Sequence, residues 1–265
     1  MPQQNEPSQL QDLLRRRKVL IGCACDSVSP AAAELAGIVG FDAVWGDLEH
    51  GPASWREAQV FAQAAKAGGA LTILRIQSAD RNHILHALDV GADVVVVPMV
   101  ESRAVAQDVV QHGKYAPLGK RGFAGSPRGL RYGCADDKME MIRRANRETH
   151  LFVQIETATA LERCDEIVSV EGLTGALVGP ADLSFSLGKP LDFGPDFVKK
   201  FAAAVRTIRA HGKVAATATA HPDLVAAGLE AGIQVLVCAS EVVSLRADWG
   251  RVLKEMRTKI DGDVR

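Results

Sequence analysis

The sequence lacks three features that would each have indicated a class of protein. Its 265 residues carry 31 Lys and Arg against 32 Asp and Glu, so the formal net charge is −1 at pH 7. A charge this close to zero gives no reason to expect a nucleic acid or an anionic membrane as partner. No apolar run approaches the roughly 18 residues that a membrane-spanning helix needs. The stretch before Leu20 also lacks the long apolar segment of a signal peptide.

Paired cysteines are the third missing feature. The chain has five cysteines, an odd number without paired spacing, which favours reduced thiols and a cytoplasmic location. We interpret Cys23 and Cys25, in "CAC", as buried thiols of a strand.

What the sequence does contain is a repeating unit, in which a helical stretch is followed by a glycine and a short β-branched run. Hydrophobic residues make up 47% of the chain, and the runs are nearly continuous rather than alternating, as in a parallel sheet covered on both faces. Eight strands are predicted, in "VLIGCAC", "FDAVWGD", "LTILRI", "ADVVVVPMV", "LFVQIE", "LTGALVG", "KVAATA" and "IQVLVCAS".

Helical patterns separate most of these runs, so the sequence predicts an α/β fold with a parallel sheet. Eight units in this length favour a closed (β/α)8 TIM barrel over an open doubly wound sheet. We expect one domain across residues 1–265, with a disordered tail at 1–7 and a short helix from about Ser8 to Lys18. The longest irregular segment, from about His112 to Asp136, is basic and glycine-rich. Loops of this length in a compact domain are usually functional or mobile.

Ionisable and polar residues follow the predicted strand ends, where the active sites of parallel barrels form. The second strand leads into Asp47, Glu49 and His50, and the third carries Arg75. The fifth and sixth lead to Gln154, Glu156 and Asp182.

Glu156 and Asp182 are separated by one βα repeat, so they should lie at adjacent strand ends. Two carboxylates without a matching His or Cys pair suit Mg²⁺ or Mn²⁺, with Co²⁺ or Zn²⁺ as less favoured ions. The alternative is that both are helix-start carboxylates favoured by the helix dipole. In "GPAD", Gly179, Pro180 and Ala181 could direct backbone N–H groups toward a small anion, or could simply turn the chain.

His50 is the best candidate for proton transfer, because imidazole titrates near neutrality. We expect Asp47 to orient its ring, and Glu49 to point away toward loop hydrogen bonds or a subunit contact. No lysine lies at the end of a predicted strand, which weakens a Schiff-base mechanism.

Six stretches along the chain are informative together: "FDAVWGDLEHGP", "LRIQ", "VVVPMVES", "RGFAGSPRGLRYG", "LFVQIETATAL" and "VEGLTGALVGPADLSFSLG". In this order they resemble the motifs of the HpcH/HpaI family of class II, metal-dependent aldolases, over roughly Gly22 to Lys254. The resemblance implies a (β/α)8 barrel that cleaves or forms a carbon–carbon bond between a 2-oxo acid enolate, usually of pyruvate, and an aldehyde.

The same resemblance implies roles for individual residues. Glu156 and Asp182 would hold the divalent metal, which pyruvate would chelate while the "GPAD" backbone binds its carboxylate. His50, supported by Asp47, would serve the acid/base steps. Arg75 would stabilise the enolate oxygen, and Gln154 would bind water or support the ligands. A homohexamer is implied, with the last helix packed on a neighbouring subunit.

The chain departs from the family pattern at Trp45, Ala239 and Glu241, which concerns the aldehyde pocket and subunit contacts. Two alternatives therefore stay open. One is a lyase for related oxo diacids or CoA thioesters. The other is a non-catalytic barrel that binds 2-oxo acids.

Overall fold

The computed structural model describes residues 7–262, and eight parallel strands in them close into a barrel in chain order, with β8 pairing with β1. This confirms the predicted (β/α)8 barrel. The strands are β1 Leu20–Cys25, β2 Ala43–Asp47, β3 Leu71–Arg75, β4 Val94–Val97, β5 His150–Ile155, β6 Gly175–Val178, β7 Val214–Ala218 and β8 Val235–Ser240.

Helices cover the outside of the barrel. Three short ones, α7 to α9, were not predicted as helices. The bounds are α1 Gln9–Arg16, α2 Pro30–Val39, α3 Trp55–Ala67, α4 Arg81–Val90, α5 Arg103–Gly113, α6 Lys138–Glu148, α7 Ala158–Glu162, α8 Cys164–Val168, α9 Pro180–Ser186, α10 Pro195–Ala210, α11 Pro222–Ala231 and α12 Glu241–Gly262.

Glycines at helix ends explain the repeating unit of the sequence. Helices α2, α4 and α11 end at Gly40, Gly91 and Gly232, whose φ angles are 112°, 93° and 98°. Only glycine adopts this left-handed conformation without steric cost, and it closes the helix as the chain turns toward the next strand.

The interior of the barrel is filled by alternate side chains of the strands, from Leu20 on β1 to Val237 on β8. Helix α1 closes the end at which the strands begin, where its Leu10 packs into this layer with 2% exposure. His150 Nε2 lies 2.8 Å from the Ser8 hydroxyl at the start of α1. The predicted N-terminal helix is therefore confirmed, whereas residues 1–6 of the predicted tail lie outside the described residues.

The last helix, α12, packs little against its own barrel. Trp249, Leu253 and Ile260 are 66%, 61% and 61% exposed, and every residue from Val242 to Asp261 is exposed. Among residues 7–262, no helix combines the length and the apolar character needed to cross a bilayer.

The long loop between α5 and α6 packs on the end of the barrel at which the strands begin, and includes a short 3-10 helix at Arg128–Gly133. All five cysteines are free, and Cys23 and Cys25 are buried as expected.

Candidate active site

The carboxyl ends of the strands bring the predicted site residues to one mouth of the barrel. Asp47 and Arg75 are direct partners in the β2–β3 register, and Gln154 pairs with Leu177 across β5 and β6. A cavity of about 190 Å³ opens there. Its lining is Ala24, Asp26, Trp45, Asp47, Arg75, Gln154, Leu177, Gly179, Pro180, Ala181, Asp182, Ala218 and Val237.

Arg75 is the centre of a charged network at this mouth. Its Nε donates to Asp47 Oδ1 at 3.0 Å and its Nη2 donates to Oδ2, which makes a two-point contact. The guanidinium carbon lies 5.5 Å from the centre of the Trp45 ring, which stacks beneath it. Burial by itself would raise the pKa of Asp47, but the hydrogen bonds and charge of Arg75 outweigh it and the pKa is lowered. Asp47 is therefore an ionised anchor for Arg75.

The prediction that Asp47 orients the imidazole of His50 is wrong for the described residues, where no hydrogen bond joins the two side chains. Asp47 Oδ1 instead accepts the backbone N–H groups of Glu49 at 3.0 Å and His50 at 3.4 Å. Asp47 thus holds the loop that carries His50. The His50 side chain is exposed at the mouth.

The prediction that Glu49 points away is also wrong. Its Oε2 lies 3.1 Å from Arg75 Nη1, so the guanidinium bridges Asp47 and Glu49. Burial raises the pKa of Glu49, and the positive charges of Arg75 and His50 only partly offset it. Arg75 recruits both carboxylates because a buried guanidinium needs partners for its N–H groups.

Glu156 is a buried carboxylate in the same network, 2% exposed. One oxygen accepts the backbone N–H of Met99 at 2.8 Å, and the other accepts from the Gln154 amide. Met99 has a φ of 54°, an uncommon left-handed conformation for this residue type, which places its N–H at the site. Burial, with repulsion from Glu49 and Asp182, raises the pKa of Glu156 to about 7.

Gly179 allows the close approach of β6 to these groups. A Cβ at this position would lie 2.9 Å from Gln154 Nε2 and 3.1 Å from Glu156 Oε2. Gly179 is also the N-cap of α9, whose first turn presents Pro180, Ala181 and the exposed Asp182 to the cavity. A larger residue here would therefore push Gln154 or Glu156 out of position.

The donor set fits a hard divalent cation. Glu156 and Asp182 are close enough to repel, and a cation between them would remove that repulsion. Gln154 Oε1 is buried without a hydrogen-bond partner, so a further polar atom at the site is unsatisfied. Within residues 7–262, no group of three or more His, Cys, Asp or Glu is arranged to hold a metal ion. A site of this kind would be completed by water and substrate oxygens.

Asp26 was missed by sequence reasoning. It directly follows β1, lines the cavity, and accepts a hydrogen bond of 2.8 Å from the Ser240 hydroxyl at the end of β8. Nearby, Glu241 accepts the backbone N–H of Ser27 at 3.2 Å. These contacts join the two strands that close the barrel. The position of Asp26 at a strand end was the signal that could have identified it.

Comparison with known proteins identifies the family. The model of the family described as HpcH/HpaI aldolase/citrate lyase matches residues 21–253. The chain belongs to this family. A family relative, 2-keto-3-deoxy-L-rhamnonate aldolase of Klebsiella pneumoniae subsp. pneumoniae, is 37% identical over 80% of this chain and 79% of its own. The aldolase of the same name from Escherichia coli is 35% identical over the same shares.

Solved structures of the family have the same architecture. The HpcH/HpaI aldolase from Desulfitobacterium hafniense superposes with a TM-score of 0.86 at 27% identity, covering 94% of this chain and 96% of its own. Membership of the HpcH/HpaI family, expected from the motifs, is confirmed.

Proposed function

We propose that the protein is a class II aldolase that cleaves a 4-hydroxy-2-oxo acid reversibly to pyruvate, or a close 2-oxo acid, and an aldehyde. The observation that carries this proposal is that Asp182 and the Arg75 network line one cavity, with the buried Glu156 close enough to interact with both. The relatives named 2-keto-3-deoxy-L-rhamnonate aldolases support a 2-keto-3-deoxy sugar acid as the substrate class.

Glu156 and Asp182 would hold a divalent metal, with Mg²⁺ or Mn²⁺ favoured by an all-oxygen donor set and Co²⁺ or Zn²⁺ less so. When bound, the ion would supply a Lewis acid for the 2-oxo group. Gln154 fixes the rotamer of Glu156 through its amide. The backbone at Gly179, Pro180 and Ala181 would bind the substrate carboxylate.

Arg75 would stabilise the negative charge that develops on the C2 oxygen as the C3–C4 bond breaks. Two of its five N–H donors are taken by hydrogen bonds to Asp47, and Glu49 forms an ion pair without a hydrogen bond, which leaves three donors for substrate. Since the two carboxylates fix the guanidinium, the positive charge is already in place before the reaction, as electrostatic stabilisation requires.

His50 would act as the general base and acid. It would accept the proton of the C4 hydroxyl, and the electrons of the C3–C4 bond would pass to the C2 oxygen as the aldehyde forms. Returning the proton to C3 would then give pyruvate. An exposed imidazole on a loop held by Asp47 can meet the C4 hydroxyl at the cavity mouth.

The test is pyruvate release from 2-keto-3-deoxy-L-rhamnonate and from 4-hydroxy-2-oxoheptanedioate, assayed with added Mg²⁺, Mn²⁺ or Co²⁺. We expect EDTA to abolish activity and the added metal to restore it. Activity that survives complete metal removal would contradict the class II assignment. Tight pyruvate binding without turnover over a broad aldehyde panel would support a binding protein instead.

We also propose a homo-oligomer, a hexamer in the family pattern, in which α12 packs on a neighbouring subunit. The exposed Trp249, Leu253 and Ile260 support this, because a helix with such an apolar surface gains by burial. Trp249→Glu with Leu253→Glu should lower the mass measured by light scattering.

The five free cysteines fit a cytoplasmic location.

A further inference from the structure

A second polar cavity lies at the opposite end of the barrel from the candidate active site. It has a volume of about 270 Å³ and is formed where the loop between α5 and α6 packs against the ends of α3, α4 and α6. A neighbouring cavity of about 460 Å³ shares Lys66, Asp93, Arg131 and Glu148 with it and extends under α1. The proposed aldolase reaction uses none of these residues.

The lining of this cavity carries an excess of positive charge. Its cations are Lys66, Arg121, Arg128, Arg131 and Arg144. Three carboxylates face them: Asp93 and Glu148 in the lining, and Asp89, which accepts from Arg121 at 2.8 Å. Five cations against three carboxylates leave two positive charges without a partner.

Individual contacts show where that charge is unbalanced. Both Nη atoms of Arg128 donate only to backbone carbonyls, those of Val90, Gly91 and Ala62, so no carboxylate accepts a hydrogen bond from this residue among the described residues. Arg131 and Arg144 share one partner, Glu148, at 3.8 and 3.5 Å.

Arg121 supplies an unused donor. Its side chain is 2% exposed, it stacks 4.6 Å from the centre of the Tyr115 ring, and its Nε is buried without a hydrogen-bond partner among the described residues. A buried N–H of a guanidinium is costly to leave unsatisfied. The loop also holds two consecutive non-glycine residues in the left-handed region, Arg131 at φ 51° and Tyr132 at φ 57°. Such strain persists only where the surroundings impose it.

We propose that this cavity binds a small dianion, a phosphate monoester or a compact dicarboxylate, at a site separate from the active site. Two unpaired positive charges match the charge of such a ligand. The planar guanidinium groups provide paired donors for phosphate or carboxylate oxygens. The basic loop between α5 and α6 then has a specific role, which is to form the cover of an anion site.

The proposal is tested by calorimetry and thermal unfolding of the full chain with inorganic phosphate, glycerol 3-phosphate and malonate, against chloride at equal ionic strength. The cavity variant is Lys66→Gln with Arg131→Gln, since both side chains are exposed and the fold does not depend on them. The matched control is Lys199→Gln with Arg206→Gln on α10, which removes the same charge elsewhere. A third variant, Arg75→Gln, reports any binding in the active site.

We expect a dianion to bind and raise the unfolding midpoint of the wild type, the α10 variant and Arg75→Gln. The cavity variant should show a dissociation constant at least about tenfold higher, because two charge-assisted contacts are removed. Binding of the phosphates alone identifies a phosphoryl ligand, and equal binding of malonate identifies a dianion in general. Absence of binding to the wild type would overturn the proposal. So would equal loss in the α10 variant, or loss in Arg75→Gln with retention in the cavity variant.

Discussion

The buried carboxylates at the two ends of the barrel have different neighbours. Where the strands begin, Asp42 and Asp93 accept the backbone N–H groups of Ile21 at 2.9 Å and Thr72 at 2.8 Å from the preceding strands. Where the strands end, Glu156 meets Glu49 and Asp182 as like charges, and its pKa rises to about 7. Burial raises the pKa of Asp93 as well, but there the charges of Lys66 and Arg128 partly offset it, whereas Glu156 has like charges beside it.

The two sets of carboxylates therefore have different roles: one set links strands, and the other belongs to the proposed active site. Asp42 and Asp93 each link two strands by a hydrogen bond and take no part in the proposed reaction. A carboxylate crowded by like charges lowers stability until a cation or substrate relieves it, which is typical of functional sites. Substitutions at the two ends should therefore have opposite effects on stability and activity.

The largest effect is expected for Glu156→Gln. Loss of a proposed metal ligand should reduce pyruvate release more than about 100-fold, beyond the range for residues that only support a ligand. In the metal-free protein at pH 8 the same change should raise the free energy of unfolding by roughly 1–3 kcal/mol, because a carboxylate whose pKa is raised is costly to ionise. The substituted side chain keeps a partner, because Gln154 can turn its own amide so that its unpartnered Oε1 accepts from the new amide at position 156.

Assays of metal binding, turnover and denaturant unfolding check this prediction together. The matched control is Glu148→Gln at the other end of the barrel, which should keep full activity. A fully active Glu156→Gln protein would refute the assignment of Glu156 as a ligand.

His50→Ala should slow turnover by about 10²–10⁴-fold, the usual contribution of a general base. Because the imidazole is exposed and makes no hydrogen bond to the described carboxylates, stability and metal affinity should stay close to those of the wild type. Steady-state kinetics and metal titration measure the two quantities separately. If metal binding collapsed, His50 would be a ligand instead.

Gly179→Ala should reduce activity by about 10- to 100-fold, as expected for changes that move a ligand's support. The new Cβ would press on Gln154 Nε2 and on Glu156, and the overpacking should cost about 1–3 kcal/mol in unfolding free energy. Kinetics and denaturant unfolding measure both effects. Gly188→Ala is not a suitable control, because Gly188 has a left-handed φ of 72° and a Cβ there would add backbone strain. Gly250→Ala is the control, since a Cβ there meets no atom within 4 Å. Equal behaviour of the two variants would contradict the close-contact argument.

The smallest effect concerns His150 at the end where the strands begin. Burial, aided by the charge of Lys114, lowers the pKa of His150 to about 3 from 6.5. The unfolded chain thus binds the proton more readily, so the stability that the neutral imidazole provides is complete above pH 6.5 and is lost as the pH falls toward 3. Between pH 7 and 5 the loss should be roughly 2 kcal/mol.

Denaturant unfolding of the wild type and His150→Gln at pH 7, 6 and 5 checks this loss, because titration of the other groups cancels in the difference. The wild type should lose more stability than the variant as the pH falls. Parallel pH profiles would show that His150 does not carry the effect.

The sequence was sufficient for the barrel, because burial on both faces makes each strand a continuous apolar run and glycine must end several of the helices. It was not sufficient for α7 and α8, since helices of five residues show no amphipathic period. The location of active sites at the carboxyl ends of strands also selected Asp47, Arg75, Gln154 and Asp182, which line the cavity, but Asp26 was missed.

The contacts of Asp47 and Glu49 were the part that pattern could not predict. Both side chains contact Arg75, which is 28 positions from Asp47 in sequence and is its partner on the adjacent strand. A polar side chain pairs with a group that the fold brings near it, and the periodicity of the sequence does not reveal which group that is.

The tight packing at Gly179 also limits how this protein can change over evolutionary time. With Gln154 and Glu156 within 3.1 Å of any added Cβ, a side chain at the end of β6 would displace Gln154 or Glu156. Adaptation to a new aldehyde is therefore expected at exposed positions of the rim, such as Asp26 and Ala218. The residues proposed to break the carbon–carbon bond would then stay the same, while the residues that select the aldehyde could change.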